Sequence, residues 1–333
     1  MSNKADRFWS AYGLVMDSIL STIQEIKGKD KAGMIREKKT KSGPLLEADF
    51  YPVWRNGVRV PTRAPKTKPS TQEQIKYNQR QAEKKLIRLV NANFDDSDFI
   101  LHPTYTPENA PQDEKQARRD MVNYIRRVKN HRKNALEQVS LTLEAIRGIE
   151  ALWPQREKLE EQRRKLEQPL KYIYVMEKVE YKSGKYKGRA NWHFHAFFTG
   201  GLSRREMEQL WPKGMRTNAD RFQPDRFGPV AAARYLSKDP QGSKRYTCSR
   251  NLDKPVVSKP KDGKITPKGV QRMATQRVDD REYWEKRYKG YRFIRCYSRY
   301  NEYNGYWYVS VVMYKVKAGQ EPPDWNVEEW MDE

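Results

Sequence analysis

The stretch Trp192-His193-Phe194-His195-Ala196-Phe197-Phe198, closed by Gly200-Gly201, decides how the chain is read. Aromatic residues fill it and the glycine pair ends it, which is the pattern of a strand. Side chains alternate across a strand, so His193 and His195 share one face while Trp192, Phe194 and Phe198 share the other. The first face is a candidate metal site and the second a core. Two imidazoles at this spacing can also be satisfied by hydrogen bonds within the sheet, and both readings stand at this point.

Working outward, Tyr172-Ile173-Tyr174-Val175-Met176-Glu177-Lys178-Val179-Glu180 is the strand before it, with the Gly- and Lys-rich segment Lys182 to Arg189 as the hairpin turn. Two imidazoles under-coordinate a metal, so a third ligand belongs on this neighbouring strand. Glu177 shares a face with Ile173 and Val175 and is the first choice; Glu180 is the alternative, because sequence leaves the hairpin register open. A carboxylate beside two histidines suits Mg²⁺ or Mn²⁺ acting on phosphate oxygens. On the other side, Ser203 starts a short helix through Leu210, and Gly228-Pro229 opens the Ala-rich helix Val230 to Leu236, which Asp239-Pro240 stops. Tyr235 and Lys238 lie on that helix one turn apart, at i and i+3. With the phosphate's charge offset and an ammonium nearby, the phenol becomes a candidate nucleophile, with water as the alternative.

A formal net charge of +23 over 333 residues, a third of them charged, points to a polyanionic partner. Twenty tyrosines, nine tryptophans and ten phenylalanines supply stacking surfaces as well as a core, which suits single-stranded nucleic acid. Cys248 and Cys296 are too few for a disulfide framework or a cysteine-ligated zinc site, so a reducing cytoplasm is expected. No apolar run is long enough for a bilayer, and the first residues lack the order of a signal peptide, so no membrane is expected. The glycine-rich loop of nucleotide-driven motors is missing, as is any internal repeat.

Phe8, Tyr12, Val15, Met16, Ile19, Leu20, Ile23 and Ile26 recur at helical spacing over residues 5 to 27, an amphipathic helix whose apolar face must dock on the main domain or on another subunit. Lys27 to Pro69 reads as a basic, extended arm. A helix over 71 to 92 follows, then a strand from Phe99 to Tyr105 and a helix from about 112 to 134. That helix carries Arg118, Arg119, Arg126, Arg127, Lys129 and Arg132 opposite its apolar face, either as a solvated surface or as a phosphate-contacting one. A second charged helix spans 155 to 167. Residues 253 to 268 read as a Lys- and Pro-rich linker, 271 to 288 as a polar helix, and Tyr291–Tyr300 and Tyr306–Tyr314 as a final strand pair.

The expected organisation is an N-terminal helix and basic arm over 1–70, a main domain over 71–317 with a helical insertion at about 135–170, and an acidic tail over 318–333. The fold class is α+β: an antiparallel five-stranded sheet with helices on one face, in the order strand, helix, strand, strand, helix, strand, strand.

Taken together these motifs resemble the HUH endonucleases. Trp192 to Phe198 resembles their His-hydrophobe-His motif, and Ala233-Arg234-Tyr235-Leu236-Ser237-Lys238 their tyrosine helix. Leu101 to Asn109 resembles the first motif of rolling-circle replication initiators, although His102-Pro103 stands where Thr-Leu is usual. Gly200 to Leu210, Trp211, Lys213-Gly214 and Tyr246 to Pro255, with Ser249-Arg250-Asn251-Leu252, look like the version found in bacterial prophages and plasmids. The resemblance covers most of 71 to 315. It implies a rolling-circle initiator in which Tyr235 attacks single-stranded or extruded origin DNA, keeps the 5′ phosphate, leaves a 3′ hydroxyl primer and later rejoins strands. His193, His195 and Glu177 would hold Mg²⁺ or Mn²⁺, and Lys238 would assist the nucleophile. On the basic charge, Arg118, Arg119, Arg126, Arg127, Arg234 and Arg250 are the candidate DNA contacts. A host helicase and DNA polymerase are the implied partners, and the implied setting is a bacterial cell carrying the gene on a phage or plasmid. A single-tyrosine transposase or a relaxase is a close cousin, but relaxases usually carry a third histidine in the motif, which this stretch lacks. A non-catalytic nucleic-acid-binding protein is the alternative from another class.

Overall fold

The computed structural model describes residues 33–54, 72–180, 185–214, 218–221, 246–302 and 304–315. In order, the elements are β1 (Met34–Ser42), β2 (Leu45–Val53), α1 (Gln72–Asn93), β3 (Phe99–His102), α2 (Glu114–Ala145), α3 (Trp153–Glu167), β4 (Tyr172–Glu180), β5 (Ala190–Phe198), α4 (Arg204–Gln209), β6 (Asn218–Arg221), β7 (Thr247–Cys248), β8 (Val256–Val257), β9 (Lys261–Asp262), α5 (Pro267–Gln276), α6 (Arg281–Arg287), β10 (Arg292–Asn301) and β11 (Tyr306–Tyr314). The class is mixed α+β with antiparallel sheets, and the chain divides into two compact units.

The unit that carries the histidine strand holds the described residues from 93 to 253. Its five strands run in the order β6-β3-β5-β4-β7, every neighbouring pair antiparallel, with β5 in the centre. Alternation sorts β5 as its sequence requires. Trp192, Phe194, Ala196 and Phe198 join Leu101, Tyr174 and Met176 in a core against Ala117, Met121, Tyr124 and Val128 of α2. Asp113 caps α2 by accepting the Gln116 amide at 2.7 Å, and Ser203 and Glu206 form a reciprocal capping box on α4. Trp211 packs on Tyr105, Tyr124 and Phe194, and its indole donates to the Thr104 carbonyl at 2.7 Å. Leu159 and Leu166 of α3 belong to the same core, so the helical stretch expected as an insertion is part of this unit's packing.

The glycine pair after β5 has a physical role. A β-carbon on Gly200 would collide with the Ser97 carbonyl oxygen, and Gly201 has φ +111, a region that side chains resist. Asp98 accepts the Gly200 amide at 2.8 Å, and the Arg132 guanidinium donates to the Gly200 carbonyl.

The other unit holds the described residues 33–54, 72–92 and 254–315. Its six-stranded sheet runs β10-β11-β2-β1-β8, with β9 also paired to β1. Helices α5 and α6 cover one face through Val270, Met273, Ala274 and Trp284, which pack on Ile35, Ala48, Phe50, Val311 and Met313. On the opposite face α1 supplies Ile87, packed with Leu45, Val312 and Tyr314, while Lys84 and Arg88 both pair with the buried Glu47.

Several expectations change here. First, residues 34–53 form a β-hairpin, where an extended arm was expected. Ser42 pairs with Leu45 across Gly43-Pro44, so these two residues are its turn, and Gly43 takes φ +57. Second, the strand pair β10–β11 exists at the expected place but pairs with β2, so it completes this sheet and not the one holding the histidines. The histidine sheet instead takes β6 and β7 as its outer members. Third, 71–317 is accordingly two units and not one domain. The polar helix expected over 271 to 288 is also two helices, broken where Asp280 caps α6. The helix expected over 5 to 27, the tyrosine helix and the acidic tail lie outside the described residues.

Candidate metal-binding site

The site is built by strand register. On β4 and β5, Ile173 pairs with Phe197, Val175 with His195 and Glu177 with His193, with no shift along the hairpin. Glu177 and both histidines therefore share the face opposite the one that α2 covers. Glu180 pairs with Ala190 and has the parity of Met176 and Tyr174, which places it on the helix-covered side. The register thus removes Glu180 as the alternative ligand.

The side chains converge in part. His195 Nε2 lies 3.2 Å from Glu177 Oε2. That separation is what two donors about 2.1–2.2 Å from one ion leave when they subtend roughly a right angle. His195 is 7% exposed, and its other ring nitrogen, Nδ1, lies 3.0 Å from Nδ1 of His102. The His102 ring stands edge-on to it, at 75° and 5.1 Å between centroids. A proton on His195 Nδ1, donated to His102, leaves the Nε2 lone pair facing the Glu177 side, the tautomer that a metal ligand requires. Burial lowers the pKa of His193 below its ordinary value, against the opposing pull of the Glu177 charge. Its imidazole is therefore neutral at neutral pH, with a lone pair to give. Among the described residues no group of three or more His, Cys, Asp or Glu side chains is placed so that it could hold a metal ion. Two imidazoles and a carboxylate have the chemistry of metal donors, but only His195 and Glu177 converge, with His193 on the same face beside Glu177.

His102 is the residue that sequence reasoning passed over. It stood out only as a departure from the expected first motif, yet β3 pairs with β5 so that Leu101 faces Ala196 and the next position sets His102 beside His195. Pro103 sits where its ring does no harm, because its carbonyl accepts the Phe194 amide at 3.0 Å and no amide is needed from it.

The basic residues of α2 divide by what they touch. Arg132, 4% exposed, donates to the carbonyls of Thr199, Gly200, Lys165, Leu166 and Gln168, tying the end of α3 to the end of β5. It is a strut, which corrects its place in a phosphate-contacting face. Arg118 pairs with Glu114 at 2.7 Å, and Arg127 donates to the Leu210 carbonyl at 2.8 Å. Arg119 and Arg126 are exposed two turns apart. All four sit on the helix that covers the core face, so they lie across the sheet from His193, His195 and Glu177. Arg250 is exposed just after β7. Tyr235, Lys238 and Arg234 lie outside the described residues. No described helix is long and apolar enough to cross a membrane. Comparison with protein-family models, curated proteins and solved structures gave no match.

Proposed function

We propose that the histidine-bearing unit is the nicking domain of a rolling-circle DNA replication initiator of the HUH endonuclease kind, acting on single-stranded origin DNA. One observation carries the reading: a central strand presents His193 and His195 on the face where Glu177, from the adjacent strand, comes within 3.2 Å of His195 Nε2. His193, His195 and Glu177 would hold Mg²⁺ or Mn²⁺, and His102 would fix the His195 tautomer. When bound, such an ion polarises a phosphodiester. The Tyr235 phenolic oxygen would attack phosphorus; the bond from phosphorus to the 3′ oxygen breaks, and a proton equivalent to the one lost by the phenol ends on the released 3′ hydroxyl. Lys238 would favour the phenolate. The reverse attack by a 3′ hydroxyl rejoins strands, and extension of the free end calls for a host helicase and polymerase.

The experiment is incubation of the full chain with a labelled, randomised single-stranded DNA library and Mn²⁺, followed by denaturing electrophoresis. A covalent adduct is expected, lost in Tyr235→Phe and His193→Ala while DNA binding persists. A second reading, non-catalytic nucleic-acid binding, has one observation in its favour: His102, His195 and Glu177 lie in a row at hydrogen-bonding distance of one another, 3.0 and 3.2 Å apart. It requires binding that survives chelator and leaves no adduct.

A further inference from the structure

The stretch 256–263, expected as a linker, is bound along the edge of β1. Val256 and Val257 pair with Lys41 and Thr40, Lys261 and Asp262 pair with Glu37 and Arg36, and between them the Ser258 amide donates to the Lys39 carbonyl at 2.9 Å. This pairing brings Lys259 and Lys261 beside Lys39 and Lys41. Facing them is the C-terminal end of α6, with Arg287, Tyr288, Lys289 and then Tyr291. Together they line a cavity of about 320 Å³ in the unit that carries none of the histidine cluster.

The charge of this cavity is lopsided. Lys39, Lys41, Lys259, Lys261, Arg287 and Lys289 line it against a single carboxylate, Glu37. Glu37 is 7% exposed and already engaged: the Tyr288 hydroxyl donates to it at 2.9 Å, and Lys39 and Arg287 lie 3.4 and 3.6 Å away. Lys39 also sits 5.0 Å above the Tyr288 ring. Glu37 thus braces the floor and leaves the rim to Lys41, Lys259, Lys261 and Lys289, all exposed and none with a carboxylate partner among the described residues. Cations gathered around one small cavity repel one another until an anion enters.

We propose that this cavity binds the phosphodiester backbone of a single nucleic-acid strand, with phosphates at Lys41, Lys259 and Lys261 and a sugar or base against Tyr291. Lysine ammoniums are point charges suited to phosphate oxygens, and contacts to phosphate carry no sequence information, so binding is independent of sequence. The cavity is at the small end of ligand pockets, which run from about 300 to 1,000 Å³. One nucleotide of a flexible strand enters it, whereas the convex surface of a duplex meets only the rim. Strand binding here is independent of the chemistry proposed for the other unit, and Tyr235→Phe leaves it intact.

The test is fluorescence anisotropy of the full chain with labelled twelve-residue oligothymidylate and oligouridylate across a salt series. The variant Lys41→Glu/Lys259→Glu/Lys261→Glu is compared with Lys133→Glu/Arg147→Glu/Lys158→Glu, an equal charge change at exposed positions of the other unit. The cavity variant is expected to lose at least about tenfold in affinity, and its salt slope to fall by about 2, at roughly 0.7 for each phosphate that is no longer neutralised. The two oligomers report which strand type is taken, and tight, cavity-dependent binding of either supports the proposal. Equal weakening of both variants, or a duplex that outcompetes the single strand, overturns it. Should the cavity variant fail to fold, ultraviolet crosslinking of a 5-iodouracil oligomer to the wild-type chain decides: adducts on the peptide holding Tyr288 and Tyr291 support the site, and adducts only elsewhere overturn it.

Discussion

Replacing Arg132 by methionine separates a structural role from a DNA-binding one. The guanidinium is buried and donates to five backbone carbonyls, of which Lys165 at 2.8 Å and Gln168 at 2.9 Å are well placed and Leu166 and Thr199 at 3.4 and 3.5 Å are long. Methionine fills much of the volume but gives no donors. Each carbonyl left buried and unpaired costs about 1–3 kcal/mol. The bonds to Gly200, Lys165 and Gln168, reduced by whatever water enters, put the loss at about 3–5 kcal/mol. For a domain of 150–250 residues, about 2–4 °C of melting temperature follows each kcal/mol, so the histidine-bearing unit melts roughly 6–20 °C lower. Differential scanning calorimetry of the full chain reads this directly. Arg132→Lys recovers part of the loss, because one ammonium cannot span carbonyls from two elements. An Arg132→Met protein with unchanged melting and weakened binding to single-stranded DNA would refute the strut and restore Arg132 to the phosphate-contacting face.

Other outcomes follow from the same geometry. Glu177→Gln should weaken Mn²⁺ binding, read by titration calorimetry, by about tenfold or more, since even outer-shell partners of a metal are worth about 10–100-fold; Glu180→Gln should change it less than about twofold, and the opposite ranking would overturn the register. Burial pushes the Asp98 carboxyl up to about 6 from 3.8, against the hydrogen bonds it accepts from the Asp95 and Gly200 amides. A raised folded-state value favours the protonated form, so this contribution is complete below about pH 3.8 and is lost as pH rises through about 6, amounting to about 3 kcal/mol. The difference in urea midpoint between wild type and Asp98→Asn should therefore change across that window and be flat above it; a constant difference would sink the assignment. In the other unit, Gly43→Ala places a β-carbon on the Asn91 carbonyl oxygen at φ +57. It should cost at least about 1 kcal/mol in urea denaturation, and a neutral outcome would contradict the close approach of the β1–β2 turn to α1.

The strands around the histidines were legible because aromatic and β-branched residues fill Tyr172 to Val175 and Trp192 to Phe198, and the two-residue period of a strand alone assigns His193 and His195 to one face. Choosing Glu177 over Glu180 needed the hairpin register, which depends on a turn that local pattern leaves open. His102 was illegible for the same reason: its meeting with His195 is a pairing between strands 93 residues apart. β1 hid because it lacks an apolar stripe; the side chains it buries include Glu37, Thr40 and Ser42, covered by sheet and helix neighbours that no local window contains. The final hairpin was recognisable as two strands, but its partner β2 lies more than 250 residues earlier, and proximity in sequence wrongly favoured the histidine sheet. Charge was legible as abundant, but not which cations the fold itself uses: Arg118, Arg127 and Arg132 are held by partners within the fold, whereas Lys259 and Lys261 line a cavity.

The most direct test of the nicking proposal is tandem mass spectrometry of the protein after incubation with single-stranded DNA and Mn²⁺ and exhaustive nuclease digestion. A nucleotide attached through its 5′ phosphate to the tryptic peptide containing Tyr235, and missing when His193 or Glu177 is replaced, is the predicted result. A nucleotide on any other residue, or cleaved DNA with no protein attached, would contradict it.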